Sequence, residues 1–274
     1  MSDQGRFLFY ASEPSILASP QFGQQCPVAT EKTATILGCY AAQRIYVYDV
    51  TNSELDGIKD VTAAHEMLHA AYDRLSGPER QRVDTLVENE YATLKKDPNF
   101  AARVKLYDSI EPGQRDNELH SIIGTEIATI SPELENYYRR YFKDRSKVTT
   151  LQQRYSSVFT QLQNQSAELI KYLNNLSDTI GTEKSDYNTR VAALNAEITA
   201  FNRLANAGEI SPAQFTARRK ALVLESDALE VLRTTINTQL ADYEAKKAEL
   251  MSISAHVDQL NRSVDSKLAP APTL

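Results

Sequence analysis

An apolar residue recurs at every seventh position towards the carboxyl end of the chain, and few folds accommodate that regularity. The repeat has no slip, and in three of the heptads a second position is also apolar. The first position is filled by Phe215, Leu222, Leu229, Ile236, Tyr243, Leu250, Val257 and Val264, and the second by Leu232, Ile253 and Leu260. Because a seven-residue period keeps one stripe of a helix against a partner helix, this pattern predicts a coiled-coil seam.

The partner helix is predicted directly upstream, where apolar residues follow spacings of mostly three and four. Between the two segments stands NAGEISPAQ, in which Gly208 can end the first helix. Ser211 and Gln214 then form a capping pair for the second helix, with a proline in its first turn. A connection this short favours antiparallel neighbours. We therefore predict that residues 146–268 form an antiparallel coiled-coil hairpin.

The part of the chain before this hairpin shows two patterns. The short apolar runs RFLFY, ATILGCY and RIYVYDV, up to about residue 52, favour a small antiparallel sheet. The spacing then becomes helical, with Ser53 as N-cap, Asp56 as its capping partner and a helical face that continues to Gly77. Further helices are predicted over residues 77–96, 99–110, 114–130 and 131–142.

The patterns together predict an α+β protein in three parts. Residues 1–145 form a domain with a small sheet and several helices, residues 146–268 form the hairpin, and residues 269–274 form a flexible tail. A net charge of −6 gives no clustered positive surface for a polyanion, so we expect no nucleic-acid partner. No run of about 18 apolar residues occurs, so we predict no transmembrane segment in this chain.

The two cysteines give the only indication of the cellular compartment. Cys26 and Cys39 flank a segment short enough for a disulfide to close, although two unrelated buried thiols would leave the same sequence. Disulfides persist outside the reducing cytoplasm. If the bridge forms, we expect an extracytoplasmic protein, secreted or at the cell surface, whose signal or anchor has been removed.

The segment VTAAHEMLHAAYD, residues 61–73, carries two of the four histidines. Residues four apart lie on one face of a helix, so His65 and His69 can direct their imidazoles at one ion. Glu66 then lies where a carboxylate can take a proton from water bound to that ion. Neutral imidazoles are good Zn²⁺ ligands, and zinc lowers the pKa of a bound water to about 7.

Coincidence on a core helix is the alternative explanation of this spacing. The flanking residues are small and apolar, as on a buried helix, and a buried glutamate is costly unless something pairs with it. We therefore favour a zinc site. A catalytic zinc takes three protein ligands, and DNELHSIIGTE is the best source of a third because Glu118 and Glu126 share one face of its helix. His120 is close by but rotated away from that face.

HEMLHAAYD followed by NELHS resembles the gluzincins, the thermolysin-like zinc metallopeptidases, in which the third ligand is a glutamate on a separate helix. The resemblance extends over about residues 53–130 and implies a zinc metallopeptidase-like domain. It implies His65 and His69 as ligands, Glu66 as general base and Glu118 as third ligand. Asp73 also matches a carboxylate in thermolysin-like sequences, and Ser121 takes the small position after the glutamate.

The sequence departs from this family at two points. The separation between His69 and Glu118 is much longer, so at least one extra helix must intervene. The family's aspartate four residues after the glutamate is Ile122 here. A metal-bound histidine needs an acceptor for its other ring N–H, and Glu126 is a candidate for this role, or for the ligand itself in exchange with Glu118.

A tetrahedral intermediate also needs a hydrogen-bond donor beside the metal. The candidates by proximity in sequence are His120, Tyr137, Tyr138 and Tyr141, each of which has packing in the core as its ordinary role.

The leading hypothesis is a zinc-dependent peptide-bond hydrolase, a metalloendopeptidase in which Glu66 activates a zinc-bound water and the substrate is a peptide or protein. The alternative is a non-catalytic coiled-coil adaptor or surface-binding protein with a structural or degenerate metal site. The hairpin is a possible surface for a protein partner in either case.

Overall fold

The computed structural model describes residues 1–26, 36–110 and 112–267. By contacts the chain divides into two compact units, which we call the cleft unit (Met1–Gln161 with Val257–Leu274) and the long-helix unit (Leu162–His256). The domain limits predicted from the sequence, at 145 and 268, stay a prediction. The protein is mostly helical with a small sheet, as expected for an α+β chain.

The elements follow in chain order. The helices are α1 (Asp3–Ala11), α2 (Ser19–Gln25), α3 (Ile58–Asp73), α4 (Gly77–Leu94), α5 (Pro98–Ile110), α6 (Arg115–Glu126), α7 (Pro132–Tyr138), α8 (Ser146–Asn206) and α9 (Pro212–Val264). The strands are β1 (Ser15–Leu17), β2 (Gly38–Ala41) and β3 (Arg44–Tyr48).

The described sheet has the strand order β1-β3-β2 and is mixed, so the prediction of an antiparallel sheet is wrong. β2 and β3 are antiparallel and joined by a tight turn whose two residues, Ala42 and Gln43, both have positive φ. β1 is parallel to β3, with Ser15 opposite Tyr46. A parallel pair needs a long crossover, and α2 and β2 lie in that crossover.

The run RFLFY lies in helix α1 and not in a strand. Ser2 caps this helix, because its side-chain oxygen accepts a hydrogen bond from the backbone N–H of Gly5 at 3.0 Å. Of ATILGCY, only residues from Gly38 onward lie in a strand, and its first two residues are outside the described part of the chain.

The predicted helix start at Ser53 is also wrong. Asn52 caps a single 3₁₀ turn over Ser53–Leu55, and α3 begins only at Ile58. The residue before it, Gly57, has a φ of 90°, a left-handed conformation that favours glycine. The left-handed residue thus separates the 3₁₀ turn from α3.

The core of the cleft unit lies where α3 packs against α6. Met67 and Leu68 of α3 and Leu119, Ile122 and Ile123 of α6 are all completely buried. Burial of these side chains fixes the two helices against each other, since each fully buried aliphatic side chain contributes about 1.5–3 kcal/mol.

The two long helices were predicted closely from the sequence. Gly208 has a φ of 70°, and Ser211 and Gln214 exchange the two hydrogen bonds of a capping box before α9. In the long-helix unit, Arg190 of α8 pairs with Glu225 of α9, while Phe201 stacks on Phe215 at 5.0 Å between ring centroids. From the first pair to the second, the residue number rises on α8 and falls on α9, so the two helices run in opposite directions.

Among the described residues, no helix combines the length and the apolar character that crossing a bilayer requires.

Candidate metal centre

Helix α3 presents both histidines of the motif to the same side. His65 and His69 are four residues apart, and their ring centroids lie 4.8 Å from each other. His69 and Glu66 are buried, and the side chain of His65 retains 17% exposure. A helix buried around most of its circumference, with Met67, Leu68 and Ala70 in the core, leaves these three polar groups facing one cleft.

Helix α6 brings Glu118 to the two histidines. Glu118 Oε1 lies 3.4 Å from His69 Nε2, and Glu118 Oε2 lies 3.9 Å from His65 Nε2. One ligand atom from each residue can be chosen so that all three lie within 4.8 Å of one another. The structure thus brings together the two histidines and the glutamate that the sequence predicts as one site.

The surroundings favour neutral imidazole at His65. Burial holds its pKa well below the usual range, and the nearby His69 and Arg103 act in the same direction. A neutral ring keeps one nitrogen lone pair for a metal.

Asn117 orients the second imidazole. Its side-chain oxygen lies 2.9 Å from His69 Nδ1, and an amide oxygen can only accept, so Nδ1 carries the proton. The lone pair of His69 then lies on Nε2, which faces Glu118. The sequence pattern did not indicate this role of Asn117, although the residue stands directly before Glu118 in the NELHS motif.

Thr125 lies beside the first imidazole. Its hydroxyl donates to the backbone carbonyl of Ser121 at 2.8 Å, and its oxygen lies 3.5 Å from His65 Nδ1. Because the hydroxyl proton is already used, this oxygen can act only as an acceptor towards the ring. Thr125 is seven residues, about two helical turns, after Glu118, and no sequence motif marked it.

Glu126 lies in the same cleft but faces a different partner. Its Oε2 is 2.6 Å from Nη1 of Arg103 on α5. Burial raises the pKa of Glu126, and Arg103 opposes that change. Glu126 is outside the group formed by His65, His69 and Glu118. Its proposed roles as a second acceptor or an alternative ligand stay predictions.

The cleft has a volume of about 1120 Å³ and runs between the sheet and the helices. One wall is β2 with its turn, and the other includes α5, α6 and the start of α8. Arg103 and Tyr107, four apart on α5, line it, as does Tyr155 of α8. Burial, together with Glu118 and Glu126, raises the pKa of Tyr107, so its hydroxyl keeps its proton at neutral pH.

The aromatic residues considered as donors for an intermediate lie elsewhere. His120 is fully buried, its Nε2 is 2.9 Å from the hydroxyl of Tyr137, and burial lowers its pKa to about 3. Tyr138 and Tyr141 belong to the hydrophobic core. None of these four residues lines the cleft, whereas Tyr107 and Tyr155 do.

Two further predicted features, the carboxylate of Asp73 and the disulfide, also line the cleft. Asp73 lines it, with its Oδ2 3.4 Å from the hydroxyl of Tyr40. The disulfide between Cys26 and Cys39 is present, which confirms the predicted pairing, and both cysteines also line the cleft. The bridge joins the end of α2 to β2, the strand that forms one wall.

By donor type the three residues suit a zinc ion, and one of their pairs already has the spacing that such an ion needs. Two neutral imidazoles and one carboxylate form a known catalytic zinc set, and a tetrahedral ion with bonds of about 2.0–2.1 Å needs ligand atoms about 3.3 Å apart. The pair of His69 Nε2 and Glu118 Oε1, at 3.4 Å, already has this separation. The buried group could therefore hold a metal ion.

Comparison of the chain with models of protein families, with curated proteins and with solved structures found no match. What this site can do therefore follows from its own geometry.

Proposed function

We propose that the protein is a zinc-dependent peptide-bond hydrolase similar to the gluzincin metallopeptidases. One observation carries this proposal: His65, His69 and Glu118 converge in a cleft that Glu66 also lines. Two imidazoles, one carboxylate acting as ligand and a second carboxylate beside them are the parts that metal-assisted hydrolysis requires.

His65, His69 and Glu118 would hold the ion. Zinc in such a set supplies Lewis acidity, which lowers the pKa of water and polarises a carbonyl group. Glu66 takes the proton of the attacking water and passes it to the leaving amine. Asn117 and Thr125 hold the imidazole rings in the orientation that binding needs.

Tyr107 is the candidate donor to the oxygen of the scissile carbonyl. It lines the cleft, and it lies within electrostatic reach of Glu118 and Glu66. Its high pKa keeps the hydroxyl as a donor, the form that stabilises developing negative charge.

The cleft favours an extended polymer as substrate. Its volume is at or above the upper end of the range of about 300–1000 Å³ that is usual for small-molecule sites. In the described sheet β2 has a strand on one side only, and Gly38–Gln43 line the cleft. An extended peptide can add to such a strand edge through main-chain hydrogen bonds.

We further propose that α8 and α9 form a coiled-coil hairpin that binds a protein partner, with or without catalysis. Leu224 and Val231, one heptad apart on α9, are 59% and 67% exposed and have no role in the seam. The disulfide supports an extracytoplasmic location, where such a bridge persists.

The test is Glu66→Gln, with Glu133→Gln at an exposed position of α7 as the matched control. We expect all three proteins to bind one zinc ion, and the Glu66 variant to cleave a peptide library about 10²–10⁴-fold more slowly, the usual contribution of a general base. Cleavage by Glu66→Gln at the wild-type rate would exclude the mechanism. A wild-type protein that holds zinc and cleaves nothing would favour the non-catalytic adaptor.

A further inference from the structure

Strand β2 passes very close to the proposed general base. Gly38 is the first residue of this strand, and a β-carbon added to it would lie 2.6 Å from Oε1 and 2.9 Å from Cγ of Glu66. It would also lie 2.5 Å from Cγ2 of Thr62, one turn earlier on α3. Real β-carbons essentially never approach another heavy atom within 3.0 Å, so only glycine fits here.

The backbone conformation does not explain this glycine. The glycines with positive φ among the described residues are Gly57, Gly113 and Gly208, and Gly38 is not one of them. Any L-residue could adopt its conformation. The contact with α3 alone therefore excludes a side chain at position 38.

The strand cannot easily retreat from α3. The residue before Gly38, Leu37, accepts a hydrogen bond at 2.7 Å from the backbone N–H of Tyr48 in β3. The residue after it, Cys39, is bonded covalently to Cys26. A side chain at position 38 would therefore displace atoms of α3 before it displaced β2.

Of the three side-chain atoms that would have to move, two belong to Glu66. Thr62 is held by its hydroxyl, which donates to the carbonyl of Ile58 at 2.9 Å. Its Cγ2 also sits on a β-branched carbon with few rotamers. The carboxylate of Glu66 ends a side chain with three rotatable bonds, so it can change position by rotation about these bonds without a shift of the α3 backbone.

We infer that Gly38 is a positioning residue for Glu66: the missing side chain leaves the space in which the Glu66 carboxylate stands beside the ligand group. This inference rests on the proposed function for its catalytic meaning. A larger residue at 38 displaces the base and leaves His65, His69 and Glu118 in place. Ordinary close packing of strand and helix, without effect on the base, is the competing explanation.

The test is Gly38→Ala, with Gly23→Ala as the matched control. A β-carbon at Gly23, in α2, meets nothing within 4 Å. We expect Gly38→Ala to lower kcat about 100-fold, the loss that a displacement of about 1 Å can produce. The zinc content should stay unchanged, the loss in kcat should exceed any change in KM, and Gly23→Ala should behave as wild type.

A readout that needs no activity is the ¹³C resonance of the Glu66 carboxyl carbon in the metal-free protein, assigned by its loss in Glu66→Gln. We expect this resonance to shift in Gly38→Ala and to stay in place in Gly23→Ala. An unmoved resonance in Gly38→Ala overturns the inference, whatever the kinetics show.

Two double variants separate the base from the strand. Gly38→Ala with Thr62→Ser removes Cγ2 but keeps the hydroxyl, so it relieves the structural clash and should retain the loss of kcat. Glu66→Asp shortens the side chain that a β-carbon at position 38 would displace. The loss of activity caused by Glu66→Asp should therefore be smaller in the Gly38→Ala background than in the wild-type background. Full recovery of kcat by Thr62→Ser would overturn the inference, because displacement of the strand would then explain the effect.

The two proposals fail in distinguishable ways. If the wild-type protein cleaves peptides and Gly38→Ala has the same kcat, the role of Gly38 is overturned and the proposed function is not. Absence of cleavage in every variant, wild type included, overturns the proposed function and the catalytic role of Gly38 with it, even where the Glu66 resonance moves.

Discussion

The two units of the molecule bury different kinds of side chain. In the long-helix unit, all of whose residues the structure describes, the buried side chains are Leu173, Ile180, Leu229 and Ile236. The cleft unit buries Glu66, His69, Glu118, His120 and Thr125 as well as its apolar core. Burial of apolar side chains alone, as in the long-helix unit, is explained by its contribution to the stability of the fold.

The second pattern is costly. A polar group taken out of water costs about 1–3 kcal/mol unless a partner replaces the solvent, and an ionised group costs more. The cleft unit places several such groups within a few ångströms of one another. Substitutions of buried residues in the long-helix unit should therefore change stability without changing metal binding, whereas substitutions around the cleft should change metal binding and chemistry.

The largest effect that would sharpen this comparison is expected from Ile236→Ala. Ile236 is 6% exposed and lies at the first position of the predicted heptad. Its truncation removes buried apolar surface and should lower the free energy of unfolding by about 2–4 kcal/mol. Denaturant titration followed by helical circular dichroism measures this loss, and a zinc titration of the same variant should match wild type.

Val231→Ala is the control on the same helix, because its side chain is 67% exposed. Surface substitutions of this kind change stability by about 0.5 kcal/mol or less. Equal losses in the two variants would contradict the seam, and a loss of zinc affinity in Ile236→Ala would contradict the separation of roles between the units.

The long helices were predictable because their signals are local. Gly208, Ser211 and Gln214 mark the turn within seven residues of sequence, and each behaves as the capping rules require. The sheet was less predictable. Its mixed character depends on β1 pairing with β3 across α2 and β2, and no local pattern encodes that pairing.

The part of the site that was predictable is the part whose residues follow helical spacing. His65 and His69 are one turn apart, and the carboxylate helix carried its own short motif around Glu118. The partners of these residues come from other elements. Arg103 reaches Glu126 from α5, and β2 approaches Glu66 at Gly38. Both contacts depend on tertiary packing, which the local pattern of a single sequence does not specify.

An intermediate effect is expected from Asn117→Ala. Without the oxygen that accepts from Nδ1, the His69 ring loses its fixed tautomer and orientation. Zinc affinity should fall about 10–100-fold, which competition with a chromophoric chelator measures. Asn117→Asp keeps an acceptor at this position and should retain most of the affinity. Wild-type affinity in the alanine variant would show that the hydrogen bond does not orient the ligand.

The smallest effect concerns His120 and its dependence on pH in the metal-free protein. The pKa of His120 is about 3 in the folded state, and about 6.5 is usual for an exposed histidine. Between these values the unfolded chain binds one more proton, so the free energy of unfolding falls as the pH falls. The contribution is complete only well above pH 6.5. It is about 0.4 kcal/mol smaller at pH 6.5 and about 1.4 kcal/mol smaller at pH 5.5, a decrease of about 1.0 kcal/mol between the two.

His120→Gln removes this titration, since glutamine has no ionisable group in the range. Its absolute stability is expected to drop at every pH, because the hydrogen bond to Tyr137 and the ring contacts change. The difference between pH 6.5 and pH 5.5 is the informative quantity, because the carboxylates contribute equally to both proteins. Urea titrations at the two pH values should show a decrease about 1.0 kcal/mol smaller in the variant. An identical decrease would mean that His120 binds its proton equally well in the folded and unfolded states, and that burial among the tyrosines does not lower its pKa.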